Sequence, residues 1–549
     1  MININLLRYI GNLKLGTQTY YSVLMHDQHS MLSIGAACRL IDQNLIFNKD
    51  FEKFVQLSQY KAVRNKLLPA ILESCPEEMV LSVLKQKIHE ENLSVDDLIL
   101  AKIARDQVKI IECCYELFKS SGNFKWLEEA MDPAPKVSSI DTAVEIAIVN
   151  ILLNPENGVW ALALLDILLA RGADDSLRNY LNILEDVGEY EALASIIKIH
   201  LALADKKNDI AEKELNRIFS FELPEAVKFH ANKLYAKFLE AQEKYQEACE
   251  YFNKTNLWLR SESYKKAGYL EYVSHFNNLK FNPVASNPKE KNYLIMLGFP
   301  RSGTTLLENI LDSHPSIRTL EELGTLAQPD ALLHKYLEEH PDTKVIPQSL
   351  VKRIKNTYYS ALNVGEIKTT AKYVIDKMPM MSSRAPYLKN IFSDKRYIFS
   401  IRHPYDVVLS CFKQTLSTNL AMDCFTSFEE TCETYDFIMG LWFSNFDLAS
   451  PDVCYIKYDD LCNNFDEEVT RVLKFIGLDW DPAVLNFAEN AKTRSQRTPS
   501  YSKVKLGNTI GVQTSWNKYQ FLFQKPEARV LDKWVTFFGY NGLSEYAIQ

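Results

Sequence analysis

The 549-residue sequence predicts a two-part architecture: an all-helical, repeat-like domain over 1–280 and an α/β domain with a central parallel sheet over 290–549. Three observations predict it. From about residue 30 to about residue 271, apolar residues recur at three- and four-residue steps with few glycines, as on one face of a helix. A segment holding Pro283 and Pro288 then punctuates the chain. Beyond it, short apolar runs alternate with helical stretches, the pattern of parallel strands covered by helices. A second domain is expected from length as well, since single cores stop growing beyond roughly 250–300 residues.

In the N-terminal part the helical pattern is clearest over 96–117, 139–153, 160–170 and 189–203. Residues 227–255 read as a helical pair, with Ala236 at a small-residue place in the first helix, a turn at Glu243, Lys244 and Tyr245, and Ala248 with Phe252 in the second. This unit resembles a tetratricopeptide repeat, which implies a surface that binds a protein or peptide partner. The upstream segments do not repeat cleanly at that period, so an irregular all-helical domain fits the pattern equally well.

In the C-terminal part, 293–297 and 396–401 read as strands buried on both faces, with shorter candidates at 374–375 and 454–458. Helices are expected over 306–313 and 407–416. The first strand runs into Gly298-Phe-Pro-Arg-Ser-Gly-Thr-Thr305. Two glycines bracketing four residues are the first half of the Walker spacing, but Thr304 stands where that motif needs lysine. The lysine is the group that meets the β/γ-phosphates of a nucleoside triphosphate. A loop that keeps the turn and the amides, loses that lysine and adds Arg301 is therefore P-loop-like but suited to a different phosphate ligand. Gly303 permits close approach, and Ser302, Thr304 and Thr305 add hydroxyl donors.

The second buried strand ends at Arg402, followed by His403, Pro404 and a helix carrying Ser410. An arginine at a strand's carboxyl end, with a hydroxyl on the next helix, suits a second phosphate. Neither cluster offers the carboxylate that would hold Mg²⁺ in a P-loop NTPase. A nucleotide with two separate phosphate groups and no metal is expected.

The two clusters together resemble the PAPS-dependent sulfotransferase family. The Pro-Arg-Ser-Gly-Thr-Thr form is closest to tyrosylprotein sulfotransferases and to bacterial proteins that join helical repeats to such a domain. The resemblance implies 3′-phosphoadenosine-5′-phosphosulfate (PAPS) as co-substrate. Arg301, Ser302, Gly303, Thr304 and Thr305 then correspond to the 5′-phosphosulfate loop, and Arg402 with Ser410 to the 3′-phosphate motif. By the same likeness Glu322 is the general base and Lys377 contacts the transferring group. Tyr458 and Ser500 align with further nucleotide-side residues. Where the tyrosylprotein enzymes carry a lysine before a late tryptophan, this chain has Ser515, with Lys518 as the nearest substitute.

Sulfuryl transfer would be in line, with charge on the sulfuryl oxygens met by Arg301, Lys377 and the loop amides. Glu322 would take the acceptor proton as the bond forms, since a carboxylate with pKa about 4.3 is a weak base for a phenol near about 10. Simpler roles exist for each: Glu321 and Glu322 as first-turn helix carboxylates, Lys377 as a solvated lysine before a proline turn, Tyr458 as a core aromatic. His314 and His403 each precede proline and read as turn residues rather than bases. The other functional classes are a P-loop kinase or NTPase and a helical-repeat scaffold without catalysis.

Composition limits the partners. Hydrophobic residues make up 47% and charged residues 24%, as in soluble globular proteins. A net charge of −8 speaks against a general nucleic-acid or membrane-surface role. Ten cysteines without a C-x-x-C spacing suggest reduced thiols in a cytoplasmic protein, and the ten histidines show no metal-binding grouping. The first dozen residues lack a signal-peptide pattern, and the apolar run 160–170 is short and carries Asp166. The acceptor, or a partner protein, would be presented by the helical domain; composition leaves the oligomeric state open.

Overall fold

The computed structural model describes residues 51–60, 107–121, 158–171, 174–187, 190–260, 266–282, 292–365, 371–393, 395–414, 420–493 and 514–543, with isolated positions besides. The helix expected over 139–153, the prolines at 283 and 288, and Ser500 lie outside the described residues. The chain forms two compact units, 1–234 and 235–549.

The described residues of the first unit form helices joined by turns: α1 (Phe51–Leu57), α2 (Gln107–Ser121), α3 (Gly158–Arg171), α4 (Asp174–Val187), α5 (Glu191–Ala204), α6 (Asn208–Ile218) and the start of α7 (Glu225–Ala241). Helices α5 and α6 form a hairpin that buries Leu193, Ile196 and Ile197 with Leu215 and Ile218. Its turn places Lys206 at φ 58°, and the Lys207 amide donates back to the Ala202 carbonyl at 2.8 Å. The turn between α7 and α8 (Tyr245–Leu259) is built the same way, with Glu243 at φ 59° and the Lys244 amide donating to the Leu239 carbonyl at 2.9 Å. Among the described residues, no helix is long and apolar enough to cross a membrane.

The second unit is organised by five parallel strands: β2 (Tyr293–Gly298), β3 (Ile317–Glu321), β5 (Tyr373–Lys377), β6 (Tyr397–Ile401) and β7 (Val453–Lys457), in the order β3-β5-β2-β6-β7. A separate two-residue pair, β1 (Lys280–Phe281) with β4 (Val345–Ile346), is also parallel. Period-two alternation divides the central strand between two cores. Leu294 and Met296 pack with Leu307, Ile310 and Leu311 of α10 (Thr304–Asp312), after α9 (Lys266–Asn277). Ile295 and Leu297 face the larger core, which includes α12 (Gln348–Gly365), α13 (Ala385–Ile391), α14 (Pro404–Gln414) and α15 (Phe428–Asn445). The order of α11 (Ala327–Glu339), α16 (Tyr458–Asn463) and α17 (Phe465–Ile476) completes the layers on either side.

The unit boundary lies upstream of the proline-rich segment from which a boundary at 280–290 is expected. The reason is packing. Ala236, Leu239, Ala248, Phe252, Tyr269 and Val273 are buried in the larger core of the sheet domain. Asn256 donates to the Phe412 carbonyl at 2.7 Å, Arg260 pairs with Glu430 at 2.8 Å, and Lys413 pairs with Glu240. Helices α8 and α9 therefore belong structurally to the α/β unit, although their sequence is helical in texture.

From β2 the chain moves to β3 and β5 on one side, then crosses to β6 and β7 on the other. The carboxyl ends beside β2 are thus a topological switch point, where open parallel sheets bind ligands.

Candidate active site

Every described residue singled out from the sequence as catalytic or nucleotide-binding lies at the carboxyl ends of β2, β3, β5, β6 and β7 or on the helix that follows. The loop after β2 turns sharply because Arg301 has φ 72° and Gly303 φ 98°. Arginine in the left-handed region is strained, whereas glycine is not. A Cβ on Gly303 would lie 2.5 Å from the Tyr458 ring, and one on Gly298 would lie 2.7 Å from both Ser302 Oγ and the Ser400 carbonyl. Both glycines are close-approach positions. Gly303 is also the N-cap of α10, so the helix begins at Thr304 and its first-turn amides face the strand ends.

The neighbouring strand anchors the loop. Ser400 Oγ donates to the Ser302 carbonyl at 2.8 Å, and the Cys411 thiol donates to the Pro300 carbonyl at 3.3 Å. Arg301 Nε donates to Ser410 Oγ at 3.1 Å, joining the two sequence clusters directly. Arg402 reaches the Arg301 carbonyl at 3.5 Å and lies 4.9 Å from the centre of the Tyr458 ring. Burial holds the Arg301 guanidinium below its ordinary pKa, and the Arg402 charge adds to the effect. Burial pushes the Tyr458 phenol up to about 12, with Cys462 adding and Arg402 opposing. Tyr458 opens α16 rather than closing the strand, and its ring lies over the loop while packing against the smaller core.

At the end of β5 the arrangement is different. Lys377 is fully buried, with Nζ 2.9 Å from Glu322 Oε1, 3.1 Å from Glu308 Oε2 and 3.9 Å from Glu321 Oε1. Burial alone pulls the ammonium's pKa down, but Glu308, Glu322 and Glu321 outweigh it and hold it above the ordinary lysine range. This is not a solvated lysine. Glu321 closes β3, and Glu322 follows at φ 46° with its amide donating to the Lys377 carbonyl at 2.9 Å. Neither glutamate therefore opens a helix. Four non-glycine residues have positive φ among the described residues; two form the hairpin turns, and the other two are Arg301 and Glu322. Of the three in the second unit, Glu243 lies in the α7–α8 turn, and Arg301 and Glu322 lie at the ends of the sheet strands.

The two histidines beside the motifs, His314 and His403, occupy turns. His314 Nδ1 accepts from the Ser316 amide at 3.1 Å, and its Nε2 faces the Asp479 carbonyl at 3.3 Å. His403 repeats the pattern, with the Tyr405 amide at 3.2 Å and the Asn541 carbonyl at 3.0 Å. An Nδ1 that accepts leaves Nε2 as the donor, which fixes the orientation of each ring. Burial also lowers the His403 pKa.

Ser515 sits away from any role as a lysine substitute: its amide and hydroxyl donate to Asp406 Oδ1 at 2.8 and 3.2 Å, and the Trp516 amide joins them at 3.1 Å. Lys518 Nζ lies 5.8 Å from the Tyr245 ring centre, against α8. Sequence reasoning missed Asp406, Glu308, Thr319 and Asp376. Asp376, next to Lys377, accepts from Thr325 Oγ1 at 2.7 Å and Tyr358 at 2.9 Å, tying down the turn that carries Glu322. The available signal was a carboxylate inside an otherwise apolar strand or helix.

Residues 294–482 match the family model described as the Sulfotransferase family. This part of the chain is a sulfotransferase-family domain. Among curated relatives, protein-tyrosine sulfotransferase 2 of Gallus gallus is 21% identical over 210 residues, 37% of this chain and 55% of the relative. An uncharacterized protein of Aquifex aeolicus is 23% identical over 334 residues, 58% of this chain and 43% of the relative. The chain thus spans about half the length of the curated relatives it matches. A solved sulfotransferase domain from the curacin biosynthetic pathway aligns with 46% of this chain and 98% of its own at 17% identity, with a TM-score of 0.31. In the sulfotransferase domain described here, the phosphate-type loop, the two arginines and the Lys377 cluster share one crevice.

Proposed function

We propose that the sulfotransferase domain moves a sulfuryl group from PAPS to a hydroxyl of a protein tyrosine, a glycan or a small molecule. The observation that carries this reading is the direct link between the two clusters, Arg301 to Ser410, beside Arg402 and the first turn of α10. A helix N-terminus and two guanidiniums favour an anion with more than one phosphate-type group. Arg301, Ser302, Gly303, Thr304 and Thr305 would hold the 5′-phosphosulfate, and Arg402 with Ser410 and Tyr458 the 3′-phosphate side. A triphosphate reading lacks its lysine at Thr304.

In the transfer step the acceptor oxygen forms a bond to sulfur as the bridging bond from sulfur to the 5′-phosphate oxygen breaks. The electron pair leaves with 3′,5′-ADP, and the acceptor proton passes to the Glu322 carboxylate. Arg301 and Lys377 stabilise charge on the sulfuryl and bridging oxygens as it develops. No metal enters this scheme. The helical unit, with its hairpins, would present the acceptor or its carrier protein.

Calorimetric titration with 3′,5′-ADP and with ATP tests the donor site: 3′,5′-ADP should bind and ATP should bind more weakly. Tighter ATP binding would overturn the reading, and binding of neither would favour a scaffold. Incubation with ³⁵S-labelled PAPS and host extract should label an acceptor. Arg301→Ala and Glu322→Ala should each lower that labelling by about 10²-fold or more while leaving the fold intact.

A further inference from the structure

Helix α10 buries a carboxylate that the transfer scheme does not use. Glu308 is fully buried; its Oε1 accepts from Thr319 Oγ1 at 3.2 Å and its Oε2 lies 3.1 Å from Lys377 Nζ. Thr319 Oγ1 lies 3.0 Å from Asp312 Oδ1, and the Thr319 amide donates to the same oxygen at 2.6 Å, so the hydroxyl side is fixed in turn. A buried ion pair carries a desolvation penalty that an apolar pair of similar volume would avoid. Its retention here needs another explanation than packing.

The two carboxylates nearest Lys377 differ in freedom. Glu322 is one-third exposed and follows a strand on strained backbone, whereas Glu308 sits inside a helix with no exposure. If Glu322 turns to an acceptor hydroxyl and takes its proton, Lys377 loses that counter-charge in a place water does not reach. An unpaired buried ammonium would shift position or lose its proton. Glu308 prevents both, because it cannot follow Glu322 out of the cluster.

We propose that Glu308 is a positioning residue: a fixed counter-charge that keeps Lys377 charged and aimed while Glu322 exchanges partners. The proposal rests on the reading of Glu322 as base and Lys377 as the sulfuryl contact. The charged groups around Lys377 are Glu308 from α10, Glu321 and Glu322 from the end of β3, and the adjoining Asp376 of β5; Arg301 from the loop is within electrostatic reach of Glu322.

Glu308→Gln keeps the shape and removes the charge. Its test is ³⁵S transfer into host extract with PAPS varied, alongside 3′,5′-ADP calorimetry to establish an intact donor site. Turnover should fall about 10²-fold with the donor KM unchanged or lower. Glu308→Asp, which keeps the charge, should recover part of that turnover. Unchanged turnover in Glu308→Gln, or a donor KM that rises as turnover falls, overturns the proposal. If Glu308→Gln no longer binds 3′,5′-ADP, Glu308→Asp takes its place: it should lower turnover with donor affinity intact, and wild-type turnover would sink the idea. Near-normal labelling by Glu322→Ala defeats the base reading and this proposal together. An inactive Glu322→Ala beside an unaltered Glu308→Gln defeats this proposal alone.

Discussion

At the end of β5 one ammonium meets three carboxylates, whereas around the end of β6 two guanidiniums stand side by side with a hydroxyl and an aromatic ring. The first cluster carries its own compensation and is closed to water at its centre. The second sets two guanidiniums together near the helix N-terminus, an arrangement that favours an anionic ligand. The difference separates two tasks within one crevice: holding a donor nucleotide and managing a proton. Substitutions at the two ends should therefore fail in different ways.

The largest effect on folding is expected at the compensated end. Lys377→Met leaves Glu308 buried without its cation, and breaking a buried pair in this way costs about 3–5 kcal/mol. Arg402→Ala removes a charge from the like-charged end, so stability should change by only about 0.5 kcal/mol while affinity for 3′,5′-ADP falls about tenfold or more. Urea unfolding and calorimetry on both variants measure the contrast. Equal losses of stability would erase it.

The second cluster was the more legible in sequence, for a physical reason. Its residues follow directly on buried apolar strands, and glycine at 303 and arginines at 301 and 402 are conspicuous where a strand gives way to a helix. The compensated cluster is assembled across sequence distance. Glu308 lies in α10, Glu321 and Glu322 follow β3, and Lys377 ends β5, so no local pattern announces their meeting. Strand β3 itself, Ile-Arg-Thr-Leu-Glu, is short and carries charge, and sequence periodicity did not mark it. Likewise, the helical texture of 235–277 says nothing of which core it joins; only Phe252, Tyr269 and their neighbours packed on the sheet domain settle that. In the first unit the helices observed at Gly158–Arg171 and Glu191–Ala204 contain or nearly contain the expected segments, because long amphipathic periodicity needs no tertiary information. The expected 96–117 helix is described only from Gln107 and runs on to Ser121.

A smaller effect than the Lys377 lesion, and one tied to pH, is expected beside it at Asp376. Burial raises this carboxyl to about 6, against the hydrogen bonds from Thr325 and Tyr358 and the Lys377 charge, which lower it. A folded-state value above the unfolded one means the protonated form is favoured by folding. Its contribution is complete below the unfolded pKa, near about 4, and is lost as pH rises through about 6. Two units correspond to about 3 kcal/mol as an upper bound. Asp376→Asn keeps a neutral acceptor for both hydroxyls, so its stability relative to the wild type should improve between pH 4.5 and pH 7. Urea midpoints at the two pH values measure this, and a constant difference would show that Asp376 is ionised throughout.

A further stability change is expected at the other end, where it separates strain from collision. Gly303→Ala places an L-residue at φ 98° and a methyl 2.5 Å from the Tyr458 ring. The backbone cost alone is about 1–2 kcal/mol, and the collision adds to it unless the ring moves. Tyr458→Ala removes the ring and with it the contact to Arg402. The double variant should therefore recover the collision energy and keep the backbone cost, making it less destabilised than the sum of the two single changes. The affinity for 3′,5′-ADP should not recover, because the ring that lies over the loop is gone and the loop amides remain displaced. Thermal unfolding of the three variants gives the coupling between the positions. Strict additivity would mean that the ring swings aside freely, and that Tyr458 lies over the loop without shaping it.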